Sequence, residues 1–154
     1  MTRPSDMPMR QFDRSLPMAL LRAREAVMKK FSPALKEHDL SPQQWRVIRV
    51  LVEEDKLDAT EIAERCALLM PSLSRILQNL HKRGLVSRKT ASNDQRRSIV
   101  SITSAGRKLF KTLSPVNEAR YAYITEKFGY GKLELLYELL NELVEKIDED
   151  ETAA

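Results

Sequence analysis

The sequence predicts a mainly α-helical fold carrying one small β-hairpin. Apolar residues recur at three- and four-residue steps over most of the chain, the period of an amphipathic helix. Two capping-box patterns, Ser41-Pro42-Gln43-Gln44 and Asp58-Ala59-Thr60-Glu61, mark helix starts in its first half. Alternation of apolar and polar residues is confined to two short stretches on either side of a polar segment. With 4 glycines and 6% aromatic residues, the composition argues against a β-rich fold.

The 154 residues suffice for one domain with a real core, so residues 1–154 are read as a single domain. The 42% hydrophobic and 31% charged fractions are those of a globular protein. No apolar run approaches the ~20 residues needed to span a bilayer, and Met1 to Arg14 lacks the apolar core of a signal peptide. A single cysteine excludes an intramolecular disulfide framework. The expected location is therefore a reducing cytoplasm, with no membrane partner.

Leu16, Leu20, Ala23, Val27, Phe31 and Leu35 share one face of a long first helix, and Pro33 predicts a bend or an early stop near its end. Ser41 caps a second helix with Pro42 at its first position, and Trp45, Ile48 and Val52 form its buried stripe. Asp58 opens a short third helix with Ile62, Ala63 and Cys66 inward. Pro71 starts a fourth that runs to Arg83, with Gly84 as its left-handed C-cap. Two short helices joined by a tight turn make a helix-turn-helix.

Leu85 to Lys89 and Ser98 to Ile102 read as the strands of a hairpin whose long tip is Thr90 to Arg97. Thr103 or Ser104 then caps a helix carrying Leu109, Phe110, Leu113, Ile124 and Phe128, which Pro115 is expected to kink. Gly129-Tyr130-Gly131 breaks it, and Leu133, Leu136, Leu140, Leu143 and Ile147 form a last amphipathic helix.

The net charge of +4 is mild, but its distribution is informative. Between Pro71 and Arg97 stand Arg75, Lys82, Arg83, Arg88, Lys89, Arg96 and Arg97 against one acid, Asp94, whereas the C-terminal end is acidic. Such a segment has the electrostatic footprint of a phosphate-binding surface. On a helical wheel Leu73, Ile76, Leu77 and Leu80 fall on one side of the fourth helix. Pro71, Ser72, Ser74, Arg75, Gln78, Asn79 and Lys82 fall on the other, without an acid among them. Arg pairs with guanine, Asn and Gln with adenine, and Ser with either, so this face carries the residue types that read a major groove. Small residues at its start also let backbone amides approach phosphates. In the hairpin, Lys89, Arg96 and Arg97 are the remaining candidate contacts. An arginine on a narrow loop suits a minor groove. Asp94 is read as structural there, bonding loop amides or pairing Arg97 so that Arg96 faces outward.

Four blocks make the sequence recognisable: Trp45-Arg46-Val47-Ile48, Pro71-Ser72-Leu73-Ser74-Arg75-Ile76-Leu77, Lys82-Arg83-Gly84-Leu85-Val86 and Asp94-Gln95-Arg96-Arg97-Ser98-Ile99-Val100-Ser101-Ile102-Thr103-Ser104-Ala105-Gly106. They resemble the MarR family of bacterial transcription regulators, over essentially the whole chain from Leu16 to Ile147. Ala19-Leu20-Leu21-Arg22-Ala23-Arg24-Glu25-Ala26, Gln43-Gln44-Trp45-Arg46, Pro71-Ser72-Leu73 and Asn93-Asp94-Gln95-Arg96 are most similar to the repressors of homoprotocatechuate degradation. The resemblance implies a winged helix-turn-helix domain plus a helical dimerisation region. Residues 41–103 would form the winged DNA-binding lobe, and residues 13–38 and 104–149 the dimerisation helices. It further implies a homodimer on a pseudo-palindromic operator in double-stranded DNA, with half-sites about one turn apart. Where many relatives carry arginine directly after the wing aspartate, this chain has Gln95, which leaves Arg96 as the minor-groove candidate.

The resemblance also implies release from DNA by aromatic acids bound between the dimer and DNA-binding regions. Arg24, at the edge of the first apolar stripe, is the candidate counter-ion for a phenolic carboxylate, because an arginine beside apolar surface can pair and stack at once. His38, Trp45, Arg46 and Arg49 are the accompanying candidates. The simpler reading stands beside it: Arg24 pairs with an Asp or Glu of the chain, and Trp45 belongs to the core. Cys66, inside an apolar pattern, is read as a buried thiol before a redox sensor. With no glycine-rich phosphate loop, no Cys/His metal spacing and only His38 and His81 as histidines, neither a catalytic residue, a metal nor a cofactor is expected. A helical interaction module would not need the acid-free face or the hairpin.

Overall fold

The computed structural model describes the backbone of residues 8–91 and 94–152, and their side chains apart from 91–96 and 150–152. The chain divides into two compact units, Met1–Leu113 and Ser114–Ala154. In the first, a turn of 3₁₀ helix at Phe12–Arg14 leads into α1 (Leu16–Glu37), α2 (Pro42–Glu54), β1 (Lys56–Asp58), α3 (Ala59–Cys66), α4 (Met70–Lys82), β2 (Val86–Ala91) and β3 (Asp94–Ile102). Helix α5 (Ser104–Phe128) starts in this unit and ends in the second, which also holds α6 (Tyr130–Thr152).

The capping chemistry fixes the starts. Ser41 Oγ accepts from the Gln44 amide at 3.1 Å while Gln44 Oε1 accepts from the Ser41 amide at 2.9 Å, a complete capping box. Asp58 caps α3 through the Thr60 amide at 2.8 Å, one residue earlier than the box pattern at Glu61 predicts. Thr103, rather than Ser104, caps α5. Its hydroxyl accepts from the Gly106 amide at 3.1 Å and donates to the Gly84 carbonyl at 2.7 Å.

Three expectations are corrected. Pro33 does not stop α1, which continues to Glu37; Phe31 and Leu35, buried on either side of the proline, anchor the last turns against the core. Among the described residues the sheet has three strands in the order β1-β3-β2, where the sequence suggested a two-stranded hairpin. Three residues are too few for alternation to show, and Lys56, Leu57 and Asp58 pair with the distant Ser101, Val100 and Ile99. The hairpin arms are also longer and its tip shorter than read, since pairing runs on to Ala91↔Asp94, past a register shift after Thr90. Among the described residues, β3 has β2 alone as its partner from Ser98 toward the tip. A two-stranded arm has little buried face to impose an alternating pattern.

The core of the first unit gathers Leu35, Ile48, Leu51, Ile62, Leu73, Leu77, Leu80, Val86, Val100 and Leu113, all essentially inaccessible. In the second unit Gly129, at φ +108°, separates α5 from α6, which begins at Tyr130 and not after Gly131. Leu135, Leu136, Leu139, Val144 and Ile147 of α6 stay exposed.

One glycine is required by space. A Cβ on Gly106 would stand 2.3 Å from the Leu85 carbonyl oxygen and 2.5 Å from Ile102 Cδ1, so α5 starts in direct contact with the end of the hairpin. We expect Gly106→Ala to destabilise the protein by roughly 1–3 kcal/mol, the usual cost of overpacking, read as a lower urea midpoint at an unchanged slope.

Candidate nucleic-acid interface

Helices α3 and α4 are joined through Ala67, which holds the left-handed conformation at φ 53° while the Leu68 amide donates back to Ala63. The turn aims α4 so that Leu73, Leu77 and Leu80 enter the core and Ile76 lies at its edge. Pro71, Ser72, Ser74, Arg75, Gln78, Asn79 and Lys82 are all exposed, the partition that the helical wheel predicts. The helix ends in a Schellman-type turn. The Leu85 amide donates to the Leu80 carbonyl, with Gly84 at φ +76° where a side chain would be strained.

Polar contacts not foreseen in the sequence tie α4 and its neighbouring elements together. Gln44 Nε2 donates to Asn79 Oδ1 at 2.8 Å, so the residue that closes the α2 capping box also orients an exposed side chain of α4. Arg83, counted above with the basic segment, donates instead to the Asp39 carbonyl at 2.8 Å and the His38 carbonyl at 3.1 Å. There it ties the end of α4 to the C-terminus of α1, where a cation is favoured. Arg97 Nε donates to Asp58 Oδ2 at 2.7 Å. The N-cap of α3 and a hairpin arginine are thus one ion pair, and Asp58 is 12% exposed in it.

That pairing with Arg97, helped by the Thr60 amide, holds the Asp58 carboxyl below its usual 3.8. A hollow of about 200 Å³ beside the pair is lined by Thr60, Met70, Ser74, Arg88 and Arg97. Lys89 is exposed on β2 and Arg88 half-buried. Residue Asn93 and the side chains of Asp94, Gln95 and Arg96 lie outside the described residues. A further ion pair, Arg107 to Asp55, joins the start of α5 to the end of α2.

Each of the five candidate effector residues has its own surroundings in the described structure. Arg24 stands 3.5 Å from Glu25 and is about half exposed. His38 Nδ1 bonds the Ala34 carbonyl at 3.1 Å. Trp45 is buried and stacks on Phe110 with centroids 5.5 Å apart, the core role that was its simpler reading. Arg46 and Arg49 do come together, around a hollow of about 230 Å³ shared with Val50, Glu53, Arg65 and Cys66. Arg46 Nη1 also donates to the Cys66 carbonyl at 2.7 Å. Cys66 is buried, and burial pushes its thiol up despite the nearby Arg46 and Arg65. Among the described residues no group of three or more His, Cys, Asp or Glu is placed to hold a metal ion, and no helix is long and apolar enough to cross a membrane.

A helix-turn-helix followed by a paired hairpin is a winged helix. Residues 38–97 match the sequence profile of the MarR family, and the likeness to curated relatives runs much further along the chain. The HTH-type transcriptional regulator FarR of Neisseria gonorrhoeae is 42% identical over 137 residues, 89% of this chain and 94% of that protein. The chain belongs to the MarR family. The homoprotocatechuate degradative operon repressor of Escherichia coli is 40% identical over 130 residues, covering 84% of this chain and 88% of the repressor. Among solved structures, NadR in complex with 4-hydroxyphenylacetate matches with a TM-score of 0.76 at 42% identity, over 89% of this chain and 97% of NadR. The winged helix-turn-helix fold expected from the sequence is therefore the fold of this MarR-family chain.

The Asp58–Arg97 pair makes a testable link between stability and pH. Because folding lowers the Asp58 pKa, its contribution is present above the unfolded value near 4 and is lost as pH falls through the folded value. Asp58→Asn should therefore be less stable than the parent at pH 7. In parallel urea titrations the gap should close below pH 4.

Proposed function

We propose that this chain is a DNA-binding transcriptional repressor of an aromatic-acid catabolic operon, released from its operator by a phenolic carboxylate. The exposed, acid-free face of α4 carries the reading. Ser72, Ser74, Arg75, Gln78 and Asn79 present hydroxyl, guanidinium and amide groups along one side of a helix whose other side is core. In this reading Arg75, Gln78 and Asn79 meet base edges, Pro71 and Ser72 let the helix start approach the backbone, and Lys82 and Lys89 meet phosphates. Arg96 and Arg97 belong to the wing, with Asp94 as its structural residue and Arg96 in the minor groove. The protein acts by occupancy and not by catalysis, in the cytoplasm where its DNA is.

The same reading makes the protein a homodimer through residues 13–38 and 104–149, because α1, α5 and α6 leave Leu16, Leu20, Phe128, Leu135 and Leu139 exposed at helical spacing. Such a dimer presents two copies of α4 to half-sites about one turn of DNA apart. Operon repression in the E. coli relative and 4-hydroxyphenylacetate in NadR support the effector class. Arg24 is the proposed carboxylate partner, with His38, Trp45, Arg46 and Arg49 as further candidates. The ligand acts by favouring a dimer whose two α4 helices no longer match the half-site spacing.

The test is binding of the purified protein to DNA from its own upstream region, with and without 4-hydroxyphenylacetate and 3,4-dihydroxyphenylacetate. Tight, salt-dependent binding that the acids weaken is the expected result. Binding indifferent to every acid would overturn the effector and keep the regulator. Absence of specific binding would overturn both and favour a helical interaction module.

Two sets of variants sharpen it. Arg75→Ala should cost about 1–3 kcal/mol of specific affinity and relax the preference at one base pair, whereas Lys89→Ala should weaken all sequences alike and lower the salt slope by about 1. Arg24→Ala should bind operator like the parent but need a higher acid concentration for release. Unchanged release in a folded, DNA-competent variant removes Arg24 from the site.

A further inference from the structure

Helices α2, α3 and α5 each begin on a side-chain oxygen, from Ser41, Asp58 and Thr103, that accepts a backbone amide of the first turn. Helix α4 begins on Leu69, which has no such bond to give. Leucine is among the poorest residues at an N-cap. Its side chain is 77% exposed, the most of any leucine among the described residues. The neighbouring Leu68 packs against the core, so the turn does not lack an apolar anchor. Met70, the first residue of α4, is also exposed, at 44%.

The setting separates these two residues from the other exposed apolar groups. Those of α1, α5 and α6 recur at helical spacing along their own helices, the pattern of helix against helix. Leu69 and Met70 instead stand directly before the polar reading face in the chain, and Met70 lines a hollow together with Ser74. Avoiding negative charge near phosphates would explain the lack of an aspartate here, but serine would serve that purpose and cap the helix as well. A leucine is explained by an apolar partner that arrives only with DNA. The major groove offers one such group, the C5 methyl of thymine.

We propose that Leu69 reads sequence directly: its side chain, backed by Met70, covers the methyl group of one thymine in each half-site. This rests on the DNA-binding reading above. It adds to the hydrogen-bonding residues a contact that selects thymine by its methyl alone.

The test uses the full-length protein and its footprinted operator duplex, with deoxyuridine replacing each thymidine in turn. Uracil pairs as thymine does and lacks only the methyl. One substitution per half-site should weaken parent binding about fourfold, the factor for one buried methyl group. Leu69→Ser, which alters both protomers, should bind the thymine operator about as weakly as the parent binds an operator with uracil at that position in both half-sites, and should lose sensitivity there. Because serine restores the cap, its thermal midpoint should equal or exceed that of the parent, which excludes misfolding as the cause. Specific binding that no uracil weakens, or a loss that Leu69→Ser retains in full, overturns the proposal while leaving the regulator reading intact. No specific binding by the parent overturns both.

Discussion

Burying Leu73, Leu77 and Leu80 of α4 against the core fixes the rotation of that helix about its own axis, and with it which residues meet solvent. At about 100° per residue, a change of rotation by one position would carry Ser72 or Ser74 inward and turn a leucine out. Each leucine contributes roughly 1.5–3 kcal/mol by leaving water, while the alternative would bury a hydroxyl without a partner. The reading face is therefore set by the core behind it, and variation among Ser74, Arg75 and Gln78 leaves the helix's rotation untouched.

Rotation alone does not hold the helix along its length or keep the hairpin beside it. Those tasks fall to polar contacts at the margins of the core. Arg83 clamps the end of α4 to the two carbonyls that follow α1, and Gln44 reaches from the start of α2 to Asn79. Asp58 caps α3 and holds Arg97 of the hairpin with the same carboxylate. Each joins residues far apart in sequence. Exposed bonds of this kind can exchange at little cost.

The parts legible in the sequence were those governed by local rules. The Ser41-Gln44 box, the C-cap at Gly84 and the two faces of α4 each depend on residues within a turn or two of one another, and the structure holds all three. What stayed hidden depends on partners at a distance. Strand β1 is too short to show a period and exists because β3 offers it an edge. Arg83 looked like one more cation for DNA until its partners, His38 and Asp39, came into view. The bond from Arg97 Nε to Asp58 stayed hidden because Asp58, by local rules, is only a cap, 39 residues away in sequence. The stop that Pro33 allowed did not occur for the opposite reason, a local rule overridden where Phe31 and Leu35 are buried.

The central claim is that α4 and the hairpin meet DNA together, once per protomer of a dimer. Hydroxyl-radical footprinting of the purified protein on its own upstream DNA tests this most directly. Two protected patches related by a two-fold axis, centred about one helical turn apart and each flanked by a protected minor groove, are the predicted result. A single patch, or uniform protection that disappears with moderate salt and follows no sequence, would contradict it.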